Sequence, residues 1–108
     1  MYAKKWEDFP EDDRGHAIYF GLFPKESASN LEITLARIKP GREIPIHSHE
    51  NKEQVFIVLE GRGILRLGEE EQELSEKMIV HIPLRTEHSL RNMDDINELK
   101  YIYVSSYI

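Results

Sequence analysis

Apolar and polar residues alternate along most of the chain in short runs, punctuated by Gly, Pro, Asn and Asp. A period of two predicts β-strands. From Gly15 to Phe23, His16, Ile18, Phe20 and Leu22 share one side and Ala17, Tyr19, Gly21 and Phe23 the other. Both sides are apolar, which predicts a strand lying between layers. PKESASN (24–30) is loop chemistry. Leu31 to Ile38 alternates again, and Lys39-Pro40-Gly41 turns the chain. Ile44 to His49 reads as a strand with Pro45 inside it, so an edge or a bulge is expected there. Gln54 to Glu60 is rich in β-branched residues. Gly61-Arg62-Gly63 turns it into a short strand at Ile64 to Leu67. Met78 to Ile82 ends at Pro83, His88 to Arg91 resumes after a turn, and Leu99 to Tyr107 closes the chain.

One stretch is ambiguous. EEEQELSEK (69–77) is made of good helix formers. Short strands on either side make an isolated helix awkward, so a hairpin is expected, turning at Gly68, pairing back through Gln72 to Leu74 and turning again at Ser75-Glu76-Lys77. Residues 1–14 are expected to form an entry arm pinned by Trp6 and Phe9. About nine or ten antiparallel strands with regular turns and no helix predict an all-β sandwich or barrel in a single domain, 1–108.

Composition narrows the function classes. The chain has 108 residues, a formal net charge of −6 and no cysteine. Disulfides, thiolate metal sites and cysteine nucleophiles are excluded. The acidic balance disfavours nucleic acid and anionic membrane as partners. No apolar run approaches the roughly 20 residues of a membrane span. The first residues carry no hydrophobic leader, so a cytoplasmic protein is the default expectation.

The chemistry concentrates in Gly41 to Gly63, GREIPIHSHENKEQVFIVLEGRG. His47 and His49 stand two apart, which puts them on one face of a strand. Two imidazoles on one face can share a metal ion. The following strand is expected to return beside the first and bring an oxygen ligand from Gln54 or Glu53. Alternation forbids both from pointing inward.

These residues resemble the cupin superfamily. Its first motif runs Gly, five residues, His-x-His, three or four residues, a carboxylate, six residues, Gly. Gly41, His47 and His49 fit it, and counting back from Gly61 lands on Gln54, where the family usually has Glu. Its second motif runs Gly, five residues, Pro-x-Gly, two residues, His, three residues, Asn. Pro83, His88 and Asn92 fit at the right spacing, while Lys77 and Arg85 stand where the two glycines would be. The motifs cover 41–61 and 77–92. The resemblance implies a cupin double-stranded β-helix, or jelly-roll barrel, with a metal in its open end and Asn92 as a structural residue.

The resemblance further implies one divalent transition metal, Ni, Fe, Zn, Mn or Cu, held by His47, His49, Gln54 and His88, with Glu53 as the alternative ligand. Three imidazoles and an amide neutralise none of the ion's charge, which favours an imidazole-loving ion and an anionic small-molecule ligand. Phe56, Val58 and Leu90 are expected to wall the pocket, with Glu43 and Arg37 near its mouth. His81 is expected to be packed or interfacial, and His16 structural or exposed. The Tyr101-Tyr103-Tyr107 stripe reads as core or dimer interface. Two functions are expected of such a site. One is a metal-dependent enzyme of the dioxygenase, decarboxylase, lyase or sugar-isomerase type; the other is a non-catalytic binding or sensing module. A metal-free nucleotide-sugar isomerase would need a His–Asp dyad, and none is visible. Small cupins commonly form homodimers through an N-terminal strand, here within residues 1–14.

Overall fold

The alternating runs form ten strands in a computed structural model, which describes residues 1–108 apart from the side chain of Ser27. They are β1 (Asp12–Asp13), β2 (Ala17–Phe23), β3 (Leu31–Ile38), β4 (Glu43–His47), β5 (Lys52–Glu60), β6 (Gly63–Leu67), β7 (Glu70–Leu74), β8 (Ile79–Ile82), β9 (His88–Asn92) and β10 (Leu99–Tyr107). The only helical segments among the described residues are 3-10 turns at Trp6–Asp8 and Lys25–Ser27. No helix is long and apolar enough to cross a membrane.

The strands build two antiparallel sheets, one ordered β1-β2-β3-β10-β5-β8 and the other β4-β9-β6-β7. This is a jelly roll, as the resemblance to cupins implied, and it falls within the sandwich-or-barrel class that the turn spacing predicted. The inward-facing residues of both sheets meet in one core containing Ala36, Ile38, Phe56, Val58, Leu65, Leu74, Ile82, Leu90, Leu99 and Tyr101. Burial, rather than intrinsic propensity, decides the acidic stretch. Gly68 adopts φ +60 and turns the chain, so that Gly63 pairs with Leu74 and Leu65 with Gln72. Leu65 and Leu74 are buried while the glutamates between them stay in water.

Pro45 fulfils both halves of its expectation. β4 is the edge of its sheet, and its pairing with β9 slips between Ile44 and His47. Two other expectations are corrected. β2 does not lie between layers: its inner residues Ala17 and Tyr19 pack on the core, while the Arg37 guanidinium lies 5.8 Å from the Phe20 ring on the outer face. Trp6 does not pin the arm, being 47% exposed. The arm is held instead by the Tyr2 hydroxyl donating to Leu22 O at 2.6 Å, by Tyr2 packing edge-on against Phe23, and by β1 pairing with β2.

The barrel's closed end is fixed by Asn92. Its side-chain nitrogen donates to Ile38 O, Lys39 O and Asn97 O at 3.1, 3.3 and 2.8 Å, and its oxygen accepts from Asp94 N at 2.9 Å. Gly63 sits against this end with no room for a side chain: a Cβ would lie 2.6 Å from Leu99 Cδ2 and 2.9 Å from Arg91 O.

Candidate metal centre

His47 and His88 are direct cross-strand partners on β4 and β9. That register explains why their ring centroids lie 4.2 Å apart. His49 lies beyond the end of β4, so it reaches the site from the following loop rather than from the same strand face. Arg85 N donates to His49 O at 2.8 Å and ties that loop to the turn preceding β9. One candidate ligand atom from each of His47, His49 and His88 falls within 4.8 Å of the others, a group that could hold a metal ion.

Hydrogen bonding prepares the rings for this role. His47 Nδ1 lies 2.8 Å from Pro45 O, and His88 Nδ1 lies 2.9 Å from Thr86 O. A carbonyl can only accept, so each Nδ1 carries a proton, and in the neutral ring the Nε2 presents a lone pair. His88 Nε2 is buried without any hydrogen-bond partner. A buried, orphaned acceptor is costly unless something outside the chain satisfies it. Burial, then the neighbouring Lys52 and the other two histidines, lower His49 to about 4. Burial likewise lowers His88 against the opposing pull of Thr86 O. Both rings are therefore neutral at physiological pH, the form that ligates metal. The donor set fits a divalent transition ion.

Gln54 comes from the facing sheet. β5 pairs with β10 and β8 rather than returning beside β4, which corrects the sequence-based expectation. Gln54 is buried, lines the same cavity, and donates from Nε2 to Ser105 Oγ at 3.0 Å. That bond orients the amide and leaves the carbonyl oxygen as its uncommitted end. Glu53 stands on the opposite, exposed face of β5, where it accepts from His81 Nε2 at 3.0 Å. His81 is thus a surface residue and not a packed one.

The cavity measures about 380 Å³, and Phe56 and Leu90 are among the residues that line it. Three expected lining residues lie elsewhere. Val58 is core beneath Phe56. Glu43 is exposed opposite Arg91. Arg37 is engaged outside by Glu98, through bonds of 2.9 and 3.1 Å. The sequence reasoning missed Arg14, His16, Tyr19, Lys52, Tyr101 and Tyr103, all of which line the cavity. For Tyr19 the signal was present, since it shares strand parity with the buried Ala17. Burial raises the tyrosine hydroxyls, Tyr103 to about 12 and Tyr101 well above its ordinary value. They stay protonated, so each hydroxyl has a hydrogen it can donate.

A two-sheet jelly roll with converging imidazoles at its open end defines a class: β-barrels built around a small internal metal or ligand site. The chain belongs to the cupin family, whose domain model matches residues 34–105. It is similar to auxin-binding protein 1 of Arabidopsis thaliana, at 33% identity over 99 residues, covering 79% of this chain and 49% of that protein. The chain spans about half the length of the curated relatives it matches. Among solved structures, it resembles a predicted oxalate decarboxylase of Thermotoga maritima (TM-score 0.87, 16% identity, 96% of this chain and 97% of the other). It also resembles KdgF of a Halomonas species (TM-score 0.84, 17% identity, 94% and 91%). At these identities the two structures support the fold alone.

Proposed function

We propose that this cupin is a metal-dependent enzyme acting on a small, oxygenated, anionic metabolite. The observation that carries the reading is a converging set of three imidazoles at a cavity which, among the described residues, has no carboxylate in its lining. His47, His49 and His88 would hold a divalent transition ion, Fe, Ni, Zn, Mn or Cu, with Gln54 O as the fourth donor. When bound, such an ion supplies Lewis acidity or a redox couple together with open coordination positions. The chain's own residues do the rest. Phe56 and Leu90 exclude water from one wall. Protonated Tyr101 and Tyr103 donate to ligand oxygens. Lys52, which with Glu32 makes an ion pair of 3.7 Å, adds positive charge at the rim. The charge of an ion held by donors without a carboxylate would be left uncompensated, which favours an anion over a neutral sugar.

The test is turnover of metal-loaded protein on a panel of keto acids, diketones and catechols, followed by oxygen uptake and by product analysis. Turnover that disappears in His49→Ala supports the enzyme. A second reading, a non-catalytic binding module, draws support from the likeness to proteins named for binding auxin. Saturable binding without conversion of any panel member would favour it. A homodimer is also proposed, in which the short edge strand β1 is covered by a second copy. Deleting residues 1–14 should then halve the mass by light scattering, and an unchanged mass would contradict the pairing.

A further inference from the structure

The cavity has a second polar end, on the hairpin that precedes the barrel proper. Arg14, His16 and Tyr19 line it together with the imidazole triad. Tyr19 is carried by β2, three strands from the Gln54-bearing β5 in the same sheet. At ~4.8 Å per strand that is about 14 Å between backbones, and side chains lean in from both sides. Tyr101 and Tyr103, on the intervening β10, floor the gap.

The Arg14 cluster is ordered by its own contacts. The guanidinium lies 4.8 Å from the Tyr19 ring centroid. Asp12 engages it through a single oxygen, Oδ2, which accepts from Nε at 2.9 Å and lies 2.9 Å from Nη2. An arginine has five N–H donors, so the Nη1 pair and one on Nη2 stay uncommitted to Asp12. The Tyr19 hydroxyl sits 3.0 Å from His16 Nε2. Burial raises the Tyr19 pKa, so that hydroxyl keeps its proton, and in the tautomer where His16 Nε2 carries the hydrogen and donates to the phenol oxygen, the Tyr19 proton is free for a ligand.

Leaving aside the imidazole nitrogens, the lining carries one guanidinium and one ammonium that can only donate, three phenols that can do either, and the carboxamide oxygen of Gln54. A ligand that satisfies it must carry acceptor oxygens at both ends. We infer that the site takes a small organic acid with two separated oxygen functions, one facing His47, His49 and His88 and the other a carboxylate held by Arg14 and Tyr19. This rests on the proposed metal site, and it adds the second anchor as the determinant of ligand length and charge. Asp12 and His16 are positioning residues, the first holding the guanidinium over Tyr19 and the second orienting the Tyr19 hydroxyl.

The probes are linear dicarboxylates from malonate to adipate, each matched with the monocarboxylate of equal carbon number, titrated calorimetrically into zinc-loaded protein. One length of dicarboxylate should bind at least about tenfold more tightly than its monocarboxylate partner, and Arg14→Gln should erase that preference. Tyr19→Phe, which removes one oxygen atom and spares the ring, should reduce the preference by weakening dicarboxylate binding more than monocarboxylate binding. The zinc content of each variant separates the two ideas. Zinc retained with both acid series weakened equally, or with no dicarboxylate preference in the parent protein, overturns the second anchor. Failure of the parent protein to take up zinc overturns the metal site instead, and the same titrations on metal-free protein then judge the anchor by whether the preference and its Arg14 dependence are present.

Discussion

Lys77 and Arg85 should each become more stabilising as glycine. Both occupy left-handed backbone, with φ of 71 and 53, at the positions where the cupin motif has glycine. A residue with a Cβ costs roughly 1–2 kcal/mol there. Glycine removes that strain but adds roughly 0.5–1 kcal/mol of unfolded-chain entropy. Both side chains are exposed and neither takes part in an ion pair among the described residues, so truncation forfeits no ion pair. The anchoring backbone bonds, Lys77 N to Val58 O at 2.9 Å and Arg85 N to His49 O at 2.8 Å, survive in glycine. The net gain is about 0.5–1 kcal/mol per site, or a rise of about 3–6 °C in Tm for a domain of this size. The turns lie apart in the chain and share no hydrogen-bond partner, so the gains should add. Urea denaturation measures this as a higher midpoint at unchanged slope. The opposite change supplies the control. Gly61 has φ +91, and a Cβ there would stand 2.7 Å from Glu98 O. Gly61→Ala adds both strain and a backbone clash and should cost about 3 kcal/mol. Neutral or destabilising glycine variants, together with a tolerated Gly61→Ala, would refute the reasoning.

The remaining predictions concern the site and its support. Metal-free protein should lose stability as pH falls from about 6.5 towards 4. The unfolded chain takes up protons on His49 and His88 that the fold resists, and His49 resists down to about 4. Thermal melts across that range should show the decline, and it should shrink in a His49→Ala, His88→Ala double variant. Asn92→Asp replaces a donor facing three carbonyls by an acceptor, so it should destabilise by about 3 kcal/mol or more in chemical denaturation. Gln54→Glu adds a charge to the donor set and should tighten metal binding in calorimetry, with the bond to Ser105 reversed so that the hydroxyl donates to the new carboxylate. Glu53→Ala, on the outer face, should leave metal binding as it was.

Much of the fold was legible because β-periodicity and turn chemistry agree along most of this chain. The bounds of β3 and β10 follow directly from alternation, and the bulge in β4 follows from Pro45. Motif spacing also singled out His47, His49 and His88 before any geometry was known. Parity failed at particular places for physical reasons. Gly15, with φ +89, bends the chain just before β2, so His16 does not continue the alternation of Ile18 and Phe20. That bend brings His16 and Tyr19 into contact across what the pattern read as opposite faces. Arg37 and Glu43 are polar residues near motif strands, but only the sheet assignment tells which face they occupy. The pairing of Arg37 with Glu98, 61 positions away, has no local signature. The segment containing Arg14 read as an entry arm pinned by Trp6 and Phe9, because nothing in its composition reveals that β1 adds to the sheet edge and brings Arg14 to the cavity.

Metal uptake is the most direct test of the central claim. Protein freed of metal by chelation would be titrated with zinc and with nickel by calorimetry, and elemental analysis would be run on the same protein purified without chelator. One ion per chain is predicted, with binding abolished in His49→Ala while circular dichroism shows the β-fold intact. No uptake of either ion, or uptake undiminished in His49→Ala, would contradict the account.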